Sequence, residues 1–147
     1  MEKITKKLTI EDSRERAFRF LRAALSKKAF RPILLRLDKI TPIADYFLIV
    51  SGRSARHATA IAEAIIEAAH VDSTKPYSTE GMKQGNWVLL DFGEIIIHVF
   101  QDQSRDFYDL EGLWSDAPRE LFPPDLTEEI ETAREMGQTD DDDFMTS

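Results

Sequence analysis

Cysteine is absent from the 147 residues of this chain, which excludes a disulfide framework and a thiolate metal site and fits a reducing compartment. No apolar run is long enough to cross a bilayer, and the opening residues 1–10 lack the apolar core of a signal peptide. Glu2, Glu11 and Asp12 interrupt the basic residues at and just after this start, so a transit peptide fits poorly. The expectation is a cytoplasmic protein without a membrane anchor, bacterial rather than organellar. Histidine is confined to His57, His70 and His98, and no internal repeat is visible.

What is present suits one domain with a real core, since 42% of the residues are hydrophobic. The net charge of −8 is unevenly placed. Residues 1–31 carry ten Lys/Arg against four Asp/Glu, residues 32–124 eight against fourteen, and residues 125–147 only Arg134 against nine acids. The body is therefore neutral and the acidity belongs to the tail, which argues against nucleic-acid binding through bulk charge.

Residues 1–10 read as a loose leader, residues 11–122 as the folded domain, and residues 123–147 as a disordered acidic tail ending in Asp140–Asp143. Asp12 with Glu15 resembles a capping pair for a helix to about Lys28, with Phe18, Leu21 and Leu25 on its core stripe. Arg14, Arg16, Arg19 and Arg22 fall off that stripe, either as a solvated face or as contacts to RNA phosphates. Strands are expected at Ile33–Leu37 and Tyr46–Val50, and then a helix from Ser54 to about Val71 packed through Ala58, Ile61, Ala62, Ile65 and Ala69. Trp87–Phe92 and Glu94–Phe100 suit a hairpin around Gly93, and Ser104 is placed to cap a last helix through Trp114. The order implies an α/β domain, a mixed β-sheet covered by helices.

Catalytic chemistry finds little support. Ser51-Gly52-Arg53-Ser54 lies between a strand and a helix, where backbone amides can hold an anion, but it lacks dinucleotide or Walker spacing and is better read as a tight turn with Ser54 as N-cap. Asp91-Phe92-Gly93 spells a kinase metal-binding triplet with no other kinase motif beside it, so Gly93 is better explained by the hairpin. His57 and His70 are too far apart on one helix to share a metal, and the acidic cluster at Asp140–Asp143 sits where nothing can preorganise it. No catalytic residue, cofactor or metal site is assigned.

Residues 87–114 are more informative. An even hairpin loop places Trp87 on the face of His98, which is either a packed, hydrogen-bonded histidine or a partner contact. In the last helix Phe107, Leu110 and Trp114 form one stripe, expected to be buried, and Tyr108 with Glu111 a second. One helix does not easily bury both, so Tyr108, Glu111 and Trp87 are candidates for an exposed aromatic and acidic patch, the alternative being that the aromatics finish the core.

Asp45–Gly52, Glu80-Gly81, Trp87–Asp91, His98–Phe100 and Arg105–Trp114, in that order, resemble the ribosomal silencing factor (Iojap) family over about residues 12–122. The resemblance implies a nucleotidyltransferase-like fold without catalytic apparatus. It implies binding to the large ribosomal subunit through its ribosomal protein number fourteen, where occupancy blocks joining of the small subunit and represses translation when nutrients are scarce. The family's contact positions fall on Trp87, Tyr108, Leu110 and Glu111, with His98 beside them. Arg31-Pro32 departs from the family pattern, in which an Asp usually follows a Lys-Ala pair, and puts the start of the first strand in doubt. A monomer or weak homodimer is expected, with a secondary contact to ribosomal RNA. The competing readings are a nucleotidyltransferase-like enzyme binding nucleotide and divalent metal, and an RNA-binding module using the arginine helix.

Overall fold

Alternation of side chains along the central strands decides how this protein is layered. In the computed structural model, which describes residues 9–132 and 134–135, β2 (Tyr46–Gly52) and β5 (Ile95–Gln101) lie side by side and parallel at the middle of a five-stranded sheet. Leu48, Val50, Ile95, Ile97 and Val99 point to one face; Phe47, Ile49, Ile96 and Phe100 point to the other, and all are buried. Strands buried on both faces have no polar alternation to show, which is why they read as continuous apolar runs.

The sheet order is β1-β2-β5-β4-β3, with β1 (Phe30–Arg36), β4 (Trp87–Asp91) and β3 (Ser78–Glu80) completing it by antiparallel pairing. The expected mixed sheet is therefore present, with β3 as the additional edge strand. Arg31-Pro32 leaves its mark. Arg31 adopts φ 55° and the β1–β2 register shifts between Phe30 and Ile33. Proline donates no ladder hydrogen bond, and an edge strand with a bulge is where it is tolerated. The outer edge of β1 is closed further along, where the Arg36 amide donates to Pro118 O at 2.9 Å and the Glu120 amide to Leu34 O at 2.9 Å. Gly93 turns the β4–β5 hairpin at φ 92°, its amide donating to Asp91 Oδ1 at 2.8 Å.

Two long helices cover the first face. α1 (Ile10–Ser26) buries Ala17, Phe18, Phe20, Leu21, Ala24 and Leu25, and α2 (Ala55–Val71) buries the five expected apolar residues. The start of α1 differs from the sequence expectation. Thr9 and Asp12 form the reciprocal capping box, the Asp12 amide donating to Thr9 Oγ1 at 3.1 Å and the Thr9 amide to Asp12 Oδ2 at 3.2 Å. The residue three positions beyond the cap closes the box, so Asp12 is the second member of the pair and Glu15 has no part in it.

The expected boundary at residue 123 is corrected. Residues 124–132 are helical, Leu126 is fully buried in the first-face core, and Phe122 and Ile130 pack against it. Asp125 accepts a hydrogen bond from Arg22 at 2.8 Å, and the Phe122 ring meets Phe18 edge-on at 6.3 Å. The acidic composition hides a two-residue apolar stripe at i, i+4, which is enough for a helix that has a core to dock on. Most of the expected leader and the Asp140–Asp143 block lie outside the described residues.

This placement makes residues 124–132 part of the folded unit. Leu126→Ala should destabilise the protein by about 2–5 kcal/mol, read as a fall in the urea denaturation midpoint. An unchanged midpoint would put residues 124–132 outside the cooperative unit.

Candidate functional site

The second face of the sheet is covered by a short, broken helical segment. α3 (Asp102–Tyr108) starts directly from β5, capped by Gln101 Oε1, which accepts from the Ser104 amide at 3.2 Å; Ser104 is not the cap. The expected continuous helix to Trp114 is interrupted at Asp109, which takes a left-handed conformation (φ 48°, ψ 54°). The Asp109 carboxylate then accepts from the Gly112 amide at 3.2 Å and opens α4 (Leu110–Leu113). A Cβ at Gly112 would stand 2.2 Å from that carboxylate, so only glycine admits this cap. Aspartate tolerates left-handed geometry because its short side chain bonds locally to the backbone.

The break rotates the side chains away from the expected stripes. Leu110 is buried as expected and Trp114 packs edge-on to Phe47 at 5.5 Å, but Phe107 is 81% exposed. The buried stripe assigned to Phe107, Leu110 and Trp114 is corrected accordingly. Tyr108 is exposed beside Phe107, and Leu113 is exposed on α4.

Arg105 holds this arrangement. It is 1% exposed. Its Nε donates to Glu111 Oε2 at 2.9 Å, and Nη2 lies 2.8 Å from the same oxygen. Nη1 donates to Ser51 Oγ at 3.0 Å and to the carbonyl of Arg31. One guanidinium thus ties α3 to α4, to the end of β2 and to the irregular start of β1. Burial pulls its pKa down, and the hydrogen bond and charge of Glu111 oppose that pull. A buried guanidinium without its carboxylate is strongly unfavourable, so Glu111 is committed inward. The reading of Glu111 as a free acid on the surface therefore changes: its carboxylate holds the site together. Arg31 adds an outer tether, its guanidinium reaching Asp102 and, at 3.1 Å, Asp106.

On this frame the aromatic rings form a continuous shelf. Trp87 stands on the face of His98, as an even hairpin loop requires, and its Nε1–H donates to His98 Nδ1 at 3.0 Å. The Tyr108 ring lies 4.8 Å from Trp87, and Phe107 meets Tyr108 edge-on at 5.1 Å. Phe100 supports Trp87 from below at 4.9 Å, and Phe47 meets His98 at 4.6 Å. His98 is 3% exposed, and burial pushes its pKa down to about 3. Since Nδ1 accepts from Trp87, the single proton of the neutral ring sits on Nε2, a buried donor with no hydrogen-bond partner among the described residues. Of the five residues singled out from sequence, Trp87 and Tyr108 thus reach the surface, while His98, Leu110 and most of Glu111 lie beneath them. Residues 102–116 hold five acids against Arg105 alone; Glu111 is paired with Arg105 and Asp102 and Asp106 share Arg31, so the surround of the shelf keeps a net acidic balance through Asp109 and Asp116.

The other candidates have structural roles. Ser54 caps α2, accepting from the His57 amide at 3.1 Å, and the Arg53 amide donates to His57 Nδ1 at 2.9 Å, so these turn amides are occupied. Arg14, Arg16, Arg19 and Arg22 each lie within ion-pair distance of a carboxylate, from Glu120, Glu94, Asp72 and Asp125 respectively. Among the described residues no three His, Asp or Glu side chains are grouped to hold a metal ion, and no helix is long and apolar enough to cross a membrane. Sequence reasoning missed Arg105, Phe107 and Leu113 as site residues. The available signal was Asp109 followed three residues later by Gly112, a local cap inside an apparent helix.

A family model described as "Ribosomal silencing factor during starvation" matches residues 10–146. The ribosomal silencing factor RsfS of Halalkalibacterium halodurans is 40% identical to this chain over 92 residues, spanning 63% of this chain and 79% of that protein. Its counterpart from Bacillus subtilis is 39% identical over 92 residues, spanning 63% and 78%. A crystal structure from Bacillus halodurans superposes with a TM-score of 0.67 at 32% identity, covering 74% of this chain and 99% of that one.

Two outcomes follow from this geometry. Arg105→Ala should destabilise by about 3–5 kcal/mol because a buried ion pair loses one partner, whereas Phe107→Ala should shift stability by no more than about 0.5 kcal/mol. Chemical denaturation of both variants checks the pair, and equal effects would contradict the assignment of buried and exposed faces.

The second outcome concerns pH. The folded-state pKa of His98 lies below its ordinary value of 6.5, so folding favours the neutral ring. That contribution is complete above about pH 6.5 and is lost as pH falls toward the folded-state pKa, at no more than about 1.4 kcal/mol per pH unit. Relative to His98→Gln, the wild type should lose up to about 2 kcal/mol of stability between pH 7 and pH 5. A difference that stays constant across that range would place His98 in contact with water.

Proposed function

The chain belongs to the ribosomal silencing factor family, and from that premise we propose that it binds the large ribosomal subunit through the shelf of Trp87, Tyr108, Phe107 and Leu113. The partner within the subunit is its ribosomal protein number fourteen. Occupancy of that place sterically blocks joining of the small subunit and represses translation under nutrient limitation. The protein acts in the cytoplasm, as a monomer or weak homodimer, without catalysis or cofactor. On this reading the nucleotidyltransferase-like architecture is reused as a scaffold for docking.

The observation that carries the proposal is the pair of adjacent exposed rings, Phe107 and Tyr108, on a segment whose buried side is fixed by Arg105 and Glu111. Exposed aromatics held rigidly are the usual anchors of protein interfaces, because little side-chain entropy remains to be lost on binding. Their acidic surround suits a basic partner and disfavours acidic ones. Trp87 adds a ring whose indole N–H is already satisfied by His98, so its exposed edge presents apolar area. His98 and Leu110 act from beneath, as floor.

The inward commitment of Glu111 decides which variant tests this. Glu111→Lys would set an ammonium against the buried Arg105 and unfold the site, so a loss of binding would not isolate the surface. Phe107→Ala with Tyr108→Ala is the cleaner change. Co-sedimentation with purified large subunits should be lost while the denaturation midpoint moves by no more than about 1 kcal/mol. Binding at wild-type strength would reject this face.

A further inference from the structure

The chain is acidic overall, yet its cations are not evenly spread. Three segments meet at the end of the sheet where β2 and β5 finish: residues 26–29, residues 53–60 and residues 81–86. Together they contain Lys27, Lys28, Arg53, Arg56 and Lys83 and no carboxylate; acids border the rim only at its flank, Glu63 and Glu67 beside Lys27 and Glu128 and Glu129 beside Lys28, among the described residues. Their proximity is fixed by contacts to the start of α2. His57 Nε2 donates to the Lys27 carbonyl at 2.6 Å, joining the end of α1 to α2. Thr59 Oγ1 donates to Met82 O at 3.0 Å, and a Cβ at Gly85 would stand 2.3 Å from Ala55 O, so the loop over residues 81–86 lies directly on the same turns. Burial lowers the pKa of His57, and the nearby charges of Arg53 and Lys28 lower it further.

All five cations are exposed. Among the described residues, Lys27, Arg56 and Lys83 have no carboxylate within ion-pair distance, unlike the four arginines of α1. The rim is also continuous with the aromatic shelf. Asn86, which ends the loop, accepts from the Gln101 amide at 3.0 Å and leads directly into Trp87.

We infer that this basic rim takes the phosphodiester backbone of RNA, giving the protein a second grip on the particle whose protein component docks on the aromatic shelf. The inference rests on the large-subunit reading above. Five cations on three segments that hold no acid of their own suit a surface of closely spaced phosphates, and flexible lysines bind such a surface without reading its sequence. The acidic surround of the shelf and the cationic rim then divide the protein between a basic partner protein and the nucleic acid beside it.

The test compares wild type, Phe107→Ala/Tyr108→Ala and the triple variant Lys27→Gln/Arg56→Gln/Lys83→Gln, binding purified large subunits over a salt series. Hydroxyl-radical footprinting of the ribosomal RNA runs alongside. The triple variant should bind more weakly, with a plot of log affinity against log salt shallower by about 2–3 for three phosphate contacts. Ribosomal RNA positions protected by wild type should lose protection, and the denaturation midpoint should stay unchanged. If the triple variant keeps the wild-type slope and footprint while the aromatic variant fails to bind, the rim is idle and the shelf reading stands alone. A shallower slope without any protected RNA in wild type would assign the rim to an acidic protein segment and overturn the RNA assignment. Wild type that does not bind large subunits removes both readings.

Discussion

The guanidinium of Arg105 cannot be buried alone, and much of this protein's second face is arranged around that fact. Glu111 must approach it, and six residues along an unbroken helix would carry Glu111 to a different side. The break at Asp109 and the small residue at Gly112 are what let the carboxylate turn back. The same turn sends Phe107 and Tyr108 outward. An electrostatic requirement inside the protein thereby fixes an apolar surface outside it, and the irregular start of β1 contributes a carbonyl acceptor to the same guanidinium.

The two faces of the sheet divide the labour. The first is sealed by α1, α2 and the helix over residues 124–132, which together bury the larger core. Among the described residues the second carries only α3, α4 and the chain leading to Ala117, and it leaves Trp87, Leu89 and Trp114 partly open. A sheet face covered this sparingly presents apolar area at low cost in stability, because the sealed face carries most of the burial. His98 belongs to the same economy of space. Its neutral ring satisfies the Trp87 indole and leaves one buried donor without a partner among the described residues.

The parts of the fold that were legible in the sequence are those governed by one periodicity. α2 has a single apolar stripe, β2 and β5 are continuous apolar runs, and the hairpin around Gly93 has an even loop that puts Trp87 over His98. What was hidden depended on competition between two signals. At Asp109 the helical period of the flanking residues outweighs the local cap, so Phe107 reads as core. In residues 124–132 the charge pattern outweighs Leu126 and Ile130. The start of α1 was misplaced by one cap, since Asp12 is consistent with either member of the box until Thr9 is seen to accept its amide. Within the site, Trp87 and Tyr108 were accessible to reasoning from faces and family resemblance. The inward role of Glu111 was not, because a carboxylate i+6 from an arginine has no meaning on a continuous helix.

A benzophenone side chain in place of Phe107 would test the central claim most directly, because it reports what lies against the shelf in the assembled particle. Photolysis in a lysate, followed by mass spectrometry of the adducts, should give one dominant cross-link to a protein of the large ribosomal subunit. Its yield should collapse when Arg105→Ala is introduced, since the ring would no longer be held outward. Cross-links confined to the small subunit, or a large-subunit adduct whose yield is indifferent to Arg105, would contradict the account.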